Sequence, residues 1–278
     1  MILSTEKLTK IFGLGCPECL DNTGSEKKNS ICSFCGSVVA VKSVDLQLSE
    51  GEVLGIVGES GSGKSTLLQL IYGDISPTTG SVYTTYFRDK SGAMKDILKA
   101  DLNERNQIRN SLMSIIYQNP RLGLNYLFSA GGNIAEKIIM KGEKRYKSIR
   151  DKSLYYMEKT ELPLSRSDDY PDKFSGGQQQ RIQISKALST EPKILLLDEP
   201  TTGLDLSVQA KILDLIRHLQ KQYNFTMIIV SHDLGVIKHL TDITVVMKNG
   251  EIVEKGLTDQ VLEDPQHPYS QLLVSSIL

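Results

Sequence analysis

The chain has 278 residues, 40% hydrophobic and 23% charged, with 32 basic residues against 33 acidic ones. That length supplies a sizeable core in one large domain or two small ones, and the charge balance lacks the basic excess on which nucleic-acid binders depend. No apolar run approaches the ~18 residues of a spanning helix. MILSTEKLTK at the start lacks a basic stretch followed by an apolar one, so no secretory signal is read. The protein is expected to be cytoplasmic, with reduced thiols and no direct membrane insertion.

Residues 1–12 and 37–48 read as edge strands, the second with partial alternation of apolar and polar positions. Between them, GCPECLDNTGSEKKNSICSFCG (Gly15 to Gly36) holds all four cysteines of the chain, as two CxxC pairs twelve residues apart. In a reducing compartment this spacing is a metal-ligand pattern rather than a disulfide framework. Cys16, Cys19, Cys32 and Cys35 can converge tetrahedrally on Zn²⁺ at ~2.3 Å, with iron or an iron–sulfur cluster as the alternative. All four thiolates are consumed, so the metal is structural. The stretch LDNTGSEKKNSI between the pairs is too polar to fold alone, which makes 15–36 a metal-clipped insertion.

Val53–Val57 reads as a buried strand. Gly58, Glu59, Ser60, Gly61, Ser62, Gly63, Lys64, Ser65 and Thr66 follow it and open a helical pattern. This is GxxxxGK[ST] in the strand–helix context that a phosphate loop requires. Its glycines let backbone N–H groups turn inward around a β-phosphate, and the helix N-terminus adds partial positive charge. Lys64 reaches the β- and γ-phosphates, and the Ser65 hydroxyl ligates Mg²⁺. Pro77–Gly80 reads as a turn, and 88–110 as a polar loop and helix. Helical spacing within 119–174 predicts a helical subdomain, extending to about 190. Ser175 is a good N-cap, and Gly176 and Gly177, before Gln178, allow an anion close to the backbone. PKILLLDEP (Pro192–Pro200) is a second buried strand. Asp198 at its end can hold Mg²⁺ through water, and Glu199 can act as general base on the attacking water. A third strand is expected to end at His232. Asn249–Gly250 is a turn before the last strand and two short helices. His218, His239 and His267 read as structural or surface residues.

Taken together, these motifs resemble those of ATP-binding-cassette (ABC) ATPases across essentially the whole chain outside the cysteine loop. FSGGQ (Phe174–Gln178) is similar to the family's signature motif, with Phe where Leu is commoner. TTGLD (Thr201–Asp205) resembles the D-loop, with Asp205 as its aspartate. IIYQNP puts Gln118 where the family has its Q-loop glutamine, a ligand of Mg²⁺, and His232 matches the switch histidine. Phe12 lies where the adenine-stacking aromatic usually sits. The resemblance implies an α/β fold with a RecA-like parallel core, an antiparallel β subdomain and a helical signature subdomain, as one ABC domain over 1–278. It also implies a mechanism. Two cassettes, identical or different, face head to tail on binding ATP. Ser175–Gln178 of one cap the nucleotide held at Lys64 of the other.

QNPRLGLNYLFSAGGNIAEKI and GLTDQVLEDPQHPYSQLLVSSIL resemble the cassette ATPases of carbon–phosphorus lyase systems for phosphonate breakdown. Those are expected to dock on a soluble lyase core. The second segment is also similar to oligopeptide and nickel importer ATPases, whose partners are membrane permeases. DNA-repair cassettes with zinc modules are a third reading, against which stands the slightly acidic loop: Glu18, Asp21 and Glu26 against Lys27 and Lys28. No nucleic-acid partner is expected.

Overall fold

A computed structural model describes residues 1–276. In chain order the strands are β1 (Leu3–Phe12), β2 (Val38–Leu48), β3 (Val53–Val57), β4 (Thr79–Arg88), β5 (Met94–Asp96), β6 (Met113–Ile116), β7 (Ile194–Asp198), β8 (Thr226–Val230), β9 (Ile243–Lys248) and β10 (Glu251–Leu257). The α-helices are α1 (Lys64–Tyr72), α2 (Leu102–Gln107), α3 (Pro120–Gly123), α4 (Ala130–Met140), α5 (Tyr146–Lys159), α6 (Gly176–Leu188), α7 (Leu206–Tyr223), α8 (Leu234–Leu240), α9 (Thr258–Glu263) and α10 (Pro268–Ser275). The chain forms two compact units, one of Met1–Leu102 with the segment from Ile228 onward, the other of Asn103–Met227.

The first unit contains an antiparallel sheet of order β2-β1-β4-β5. β2 is an edge, as expected, but β1 is not: Leu3 pairs with Leu48 on one side and Thr84 on the other. Long-range pairing with β4 covers the flank that a local reading left open. A second departure lies in the polar stretch after β4, where β5 adds a strand. Three residues are too few to show a period, and the buried Asp96 carboxylate does the anchoring by accepting from Val82 N and Leu98 N. β3 is buried along its whole length and runs parallel to β9. β10 returns antiparallel to β9 through Asn249–Gly250, both at positive φ (47° and 82°), the backbone of a tight hairpin. β8 stops at Val230, not at His232. Ser231 N still bonds Ile56 O, but Asp233 already caps α8 through Gly235 N, so His232 lies in the link between them.

In the second unit β6 and β7 are parallel, with Met113 opposite Ile194. Their apolar residues are nearly all buried, as expected of strands covered on both faces. Helices α4, α5 and α6 pack on one another. Ser129 caps α4, and Asp205 caps α7 by accepting from Val208 N. No helix among the described residues is long and apolar enough to cross a membrane.

Candidate active site

Gly58 to Gly63 turn tightly at the end of β3. A Cβ on Gly58 would stand 2.2 Å from Met247 O, and one on Gly63 2.0 Å from Ala40 O, so only glycine fits at either position. The Lys64 ammonium is buried and donates to Gly58 O (2.7 Å) and Glu59 O (2.8 Å), across the loop's own mouth. Ser62 Oγ is buried without a hydrogen-bond partner. A glycine-walled turn with a buried ammonium and an unsatisfied hydroxyl suits a phosphate group. Ser65, in the first turn of α1, is half-buried. Two backbone contacts brace the loop from outside: Tyr269 Oη accepts from Glu59 N (3.0 Å), and Gly250 N donates to Ser62 O (3.0 Å). Tyr269 is itself buried, which pushes its hydroxyl pKa up. The HPY sequence signals the start of α10, with His267 as cap and Pro268 in its first turn, but nothing local announces where the tyrosine hydroxyl goes.

In the same unit Phe12 ends β1 with its ring 43% exposed, and Lys10 Nζ lies 5.1 Å from the ring centroid. A solvent-facing ring is what stacking on a base requires. His232 is exposed in its link. His267 caps α10 through Nδ1, a structural role; His218 lies in α7 and His239 in α8.

The second unit brings Gln118 and Glu199 together. Glu199 Oε2 accepts from Gln118 Nε2 (3.2 Å) and from Thr202 Oγ1 (2.9 Å). Asp198 closes β7 and is buried. Gln118 has a support that sequence reasoning missed. The buried Gln183 of α6 accepts from Tyr117 N and donates to Tyr117 O, both at 3.2 Å, gripping the backbone just before it. Ser175 and Gln178 form a reciprocal capping box at the exposed start of α6. Gly177 answers a packing need, since a Cβ there would meet Val208 Cγ1 at 2.5 Å. The Asp205 carboxyl is held below its ordinary range by the Ser207 hydroxyl and the Val208 amide.

The four cysteines converge. Their sulfurs lie within 4.8 Å of one another, with Cys16–Cys19 at 3.6 Å, Cys16–Cys32 at 3.7 Å and Cys19–Cys35 at 3.4 Å. A tetrahedron with ~2.3 Å arms has edges of about 3.8 Å, so the set fits zinc. The Cys16 amide donates to Cys19 Sγ (3.2 Å), and Gly36 N donates to Cys32 O (2.9 Å), closing the two turns. Crowding drives the thiols apart in acidity. Burial pushes Cys16 up to about 12, while hydrogen bonds from the Ser37 hydroxyl and amide bring Cys35 down to about 6. Beneath them Cys19 and Cys32 pack with Val39 of β2.

The sequence profile of the ABC transporter family matches residues 41–202. The chain is 47% identical over 235 residues to the putative phosphonates utilization ATP-binding protein PhnK of Escherichia coli K12, covering 84% of this chain and 90% of that one. It is 38% identical to the oligopeptide transport ATP-binding protein OppD of Bacillus subtilis, covering 89% of this chain and 69% of that one. Among solved structures, the dimeric ATP-binding cassette MJ0796 in a post-hydrolysis state with ADP and Pi superposes with a TM-score of 0.76 at 28% identity, over 92% of this chain and 99% of that one. With the glycine-walled Gly58–Gly63 turn, the Gln118–Glu199 pair and the capped start of α6, these likenesses identify the chain as an ABC ATPase, a member of the ABC transporter family.

Proposed function

We propose that the chain is the ATP-hydrolysing cassette of a phosphonate carbon–phosphorus lyase complex, working as a nucleotide-driven dimer on a soluble partner core. The observation that carries this reading is the extent of the likeness. The PhnK match is the more identical one and takes in 90% of that relative's length, whereas OppD is matched over 69% of its own. In the proposed cycle Lys64 and the loop amides bind the ATP phosphates, and Phe12 stacks on adenine. Ser65, Gln118 and Asp198 hold Mg²⁺, which neutralises phosphate charge. Glu199 polarises the attacking water. Ser175–Gln178 of one subunit cap the nucleotide of the other, with Asp205 and His232 organising the closed state. The MJ0796 dimer supports such a pairing. Cys16, Cys19, Cys32 and Cys35 hold a structural Zn²⁺, a reading supported by their tetrahedral spacing.

The second reading, an oligopeptide-type importer ATPase, draws on OppD and on AmiE of Streptococcus pneumoniae, 39% identical over 86% of this chain. Affinity purification from the native cell separates the two. Soluble lyase subunits among the co-purifying chains are expected; membrane permease subunits in their place would overturn the proposal.

A further inference from the structure

The cysteine clip is fastened at its tip as well as at its sulfurs. Ser25, midway between the two CxxC pairs, donates its amide (2.7 Å) and its hydroxyl (2.5 Å) to Glu251 Oε2, at the start of β10. Glu251 Oε1 pairs with Lys42 Nζ (2.8 Å), and Lys42 Nζ also donates to Thr23 O (2.8 Å). A Cβ on Gly24 would stand 2.6 Å from Glu251 Oε1 and 2.8 Å from Lys42 Nζ, so the tip lies flat on this ion pair. Glu251 thus accepts from three donors, and its residue neighbour Gly250 sits in the β9–β10 turn.

That turn is the outer wall of the phosphate loop. Gly250 N donates to Ser62 O (3.0 Å), and Gly250 O accepts from Lys42 N (2.8 Å). A Cβ on Gly250 would meet Val39 O at 2.9 Å, and one on Gly63 would meet Ala40 O at 2.0 Å. Loop, turn and β2 are therefore in backbone contact. The clip grips the same stretch of β2 directly, sharing Val39: Ser30 O accepts from Val39 N (2.8 Å), Ile31 bridges to Val38, and Val39 packs under Cys19 and Cys32.

We propose that Glu251 is a positioning residue for nucleotide binding. It latches the clip tip onto the β9–β10 turn, so that the ordered clip fixes the strand and turn against which Ser62 and Gly63 rest. The clip then serves the phosphate end of the site through backbone contacts, without touching nucleotide. The inference rests on the reading of Gly58–Thr66 as the nucleotide loop and does not depend on which metal the thiols hold.

The test uses the full-length chain with Glu251→Gln and, as a second break of the same latch, Lys42→Met. Both variants keep all four cysteines, so metal content by elemental mass spectrometry is expected to match wild type. Hydrogen exchange is expected to rise at the Ser25 and Gly250 amides and within Gly58–Ser65. The KM for ATP should rise about three- to tenfold, the equivalent of one lost hydrogen bond, with kcat within about twofold, as expected when uniform binding alone is weakened. Faster exchange at Ser25 with unchanged exchange across Gly58–Ser65 and an unchanged KM, in whichever variant folds, would overturn the proposal. An equal fall in kcat and kcat/KM would do the same, because it would put Glu251 in the chemistry. Loss of ATP binding in wild type would instead sink the nucleotide-loop reading. A metal-free wild type would sink the zinc reading and leave the latch to be judged on exchange and KM.

Discussion

Glu199 occupies a left-handed backbone conformation, φ 45°, immediately after β7. For a residue with a Cβ this costs about 1–2 kcal/mol, and the cost is borne where the carboxylate meets Gln118 and Thr202. Leu195 and Leu197 before it in β7 are buried, whereas Glu199 is half-buried. Glu199→Gln keeps the shape and an acceptor for both donors but removes the charge that draws a proton from water. ATP hydrolysis is expected to fall by ~10²–10⁴-fold, the range for a lost general base, while equilibrium ATP binding stays near wild type. Steady-state turnover with fluorescent-nucleotide titration checks both. Turnover within a few-fold of wild type would remove Glu199 from the base role.

At the scale of elements, the clip differs from the rest of the first unit in what holds it. β1, β2 and β4 bury Leu3, Leu8, Val41, Val44, Leu46, Leu48 and Val82, whereas the clip's interior is two cysteines with Val39, flanked by Ile11 and Leu20. So small a core cannot offset the entropy of ordering some twenty residues, at roughly 1–2 kcal/mol each, so metal–thiolate bonds are expected to close the balance. Purified protein is expected to carry one zinc per chain by elemental mass spectrometry. Cys32→Ser or a strong chelator should expose Gly15–Gly36 to proteolysis, while far-UV circular dichroism and the main thermal transition persist. Stoichiometric iron, or intact clip protection in metal-free protein, would contradict this. Much of this element was legible because its ligands are local: two CxxC pairs announce convergence from spacing alone. The phosphate loop was legible for the same reason. Glu251, Tyr269 and Gln183 were not. Each acts on backbone groups 226, 210 and 66 residues away, and the side chains themselves match no motif. Likewise β1 read as an edge because its partner β4 lies beyond the phosphate loop and α1.

For the whole molecule, a near-neutral charge of −1 leaves little electrostatic repulsion between two copies. Pairing of copies is then expected to be governed by nucleotide; the start of α6 and the Asp205 side chain are both exposed. Glu199→Gln with Mg–ATP is expected to elute as a dimer in gel filtration and to return to monomer after ATP is removed, because the bound ATP persists uncleaved between the subunits. The wild type, which hydrolyses its ATP, should stay largely monomeric under the same conditions. A variant that stays monomeric with saturating ATP would argue against ATP-held pairing. The comparison is clean because the substitution changes one atom of a half-buried side chain and leaves both exposed surfaces as they were.

The latch at Ser25 and Glu251 also orders events in time. The four cysteines, Cys16 to Cys35, are made together, ahead of β2 and everything after it. Glu251, which fastens the clip tip, arrives 226 residues after Ser25. At about 5–20 residues per second that interval is roughly 10–45 s. Throughout it the clip can rest on β2, where Val39 N donates to Ser30 O, but its tip lacks Glu251. The same late segment supplies Gly250 to Ser62. The Gly58–Gly63 turn therefore acquires that wall only once the β9–β10 turn is made, and a cassette truncated before β10 holds the turn without that support.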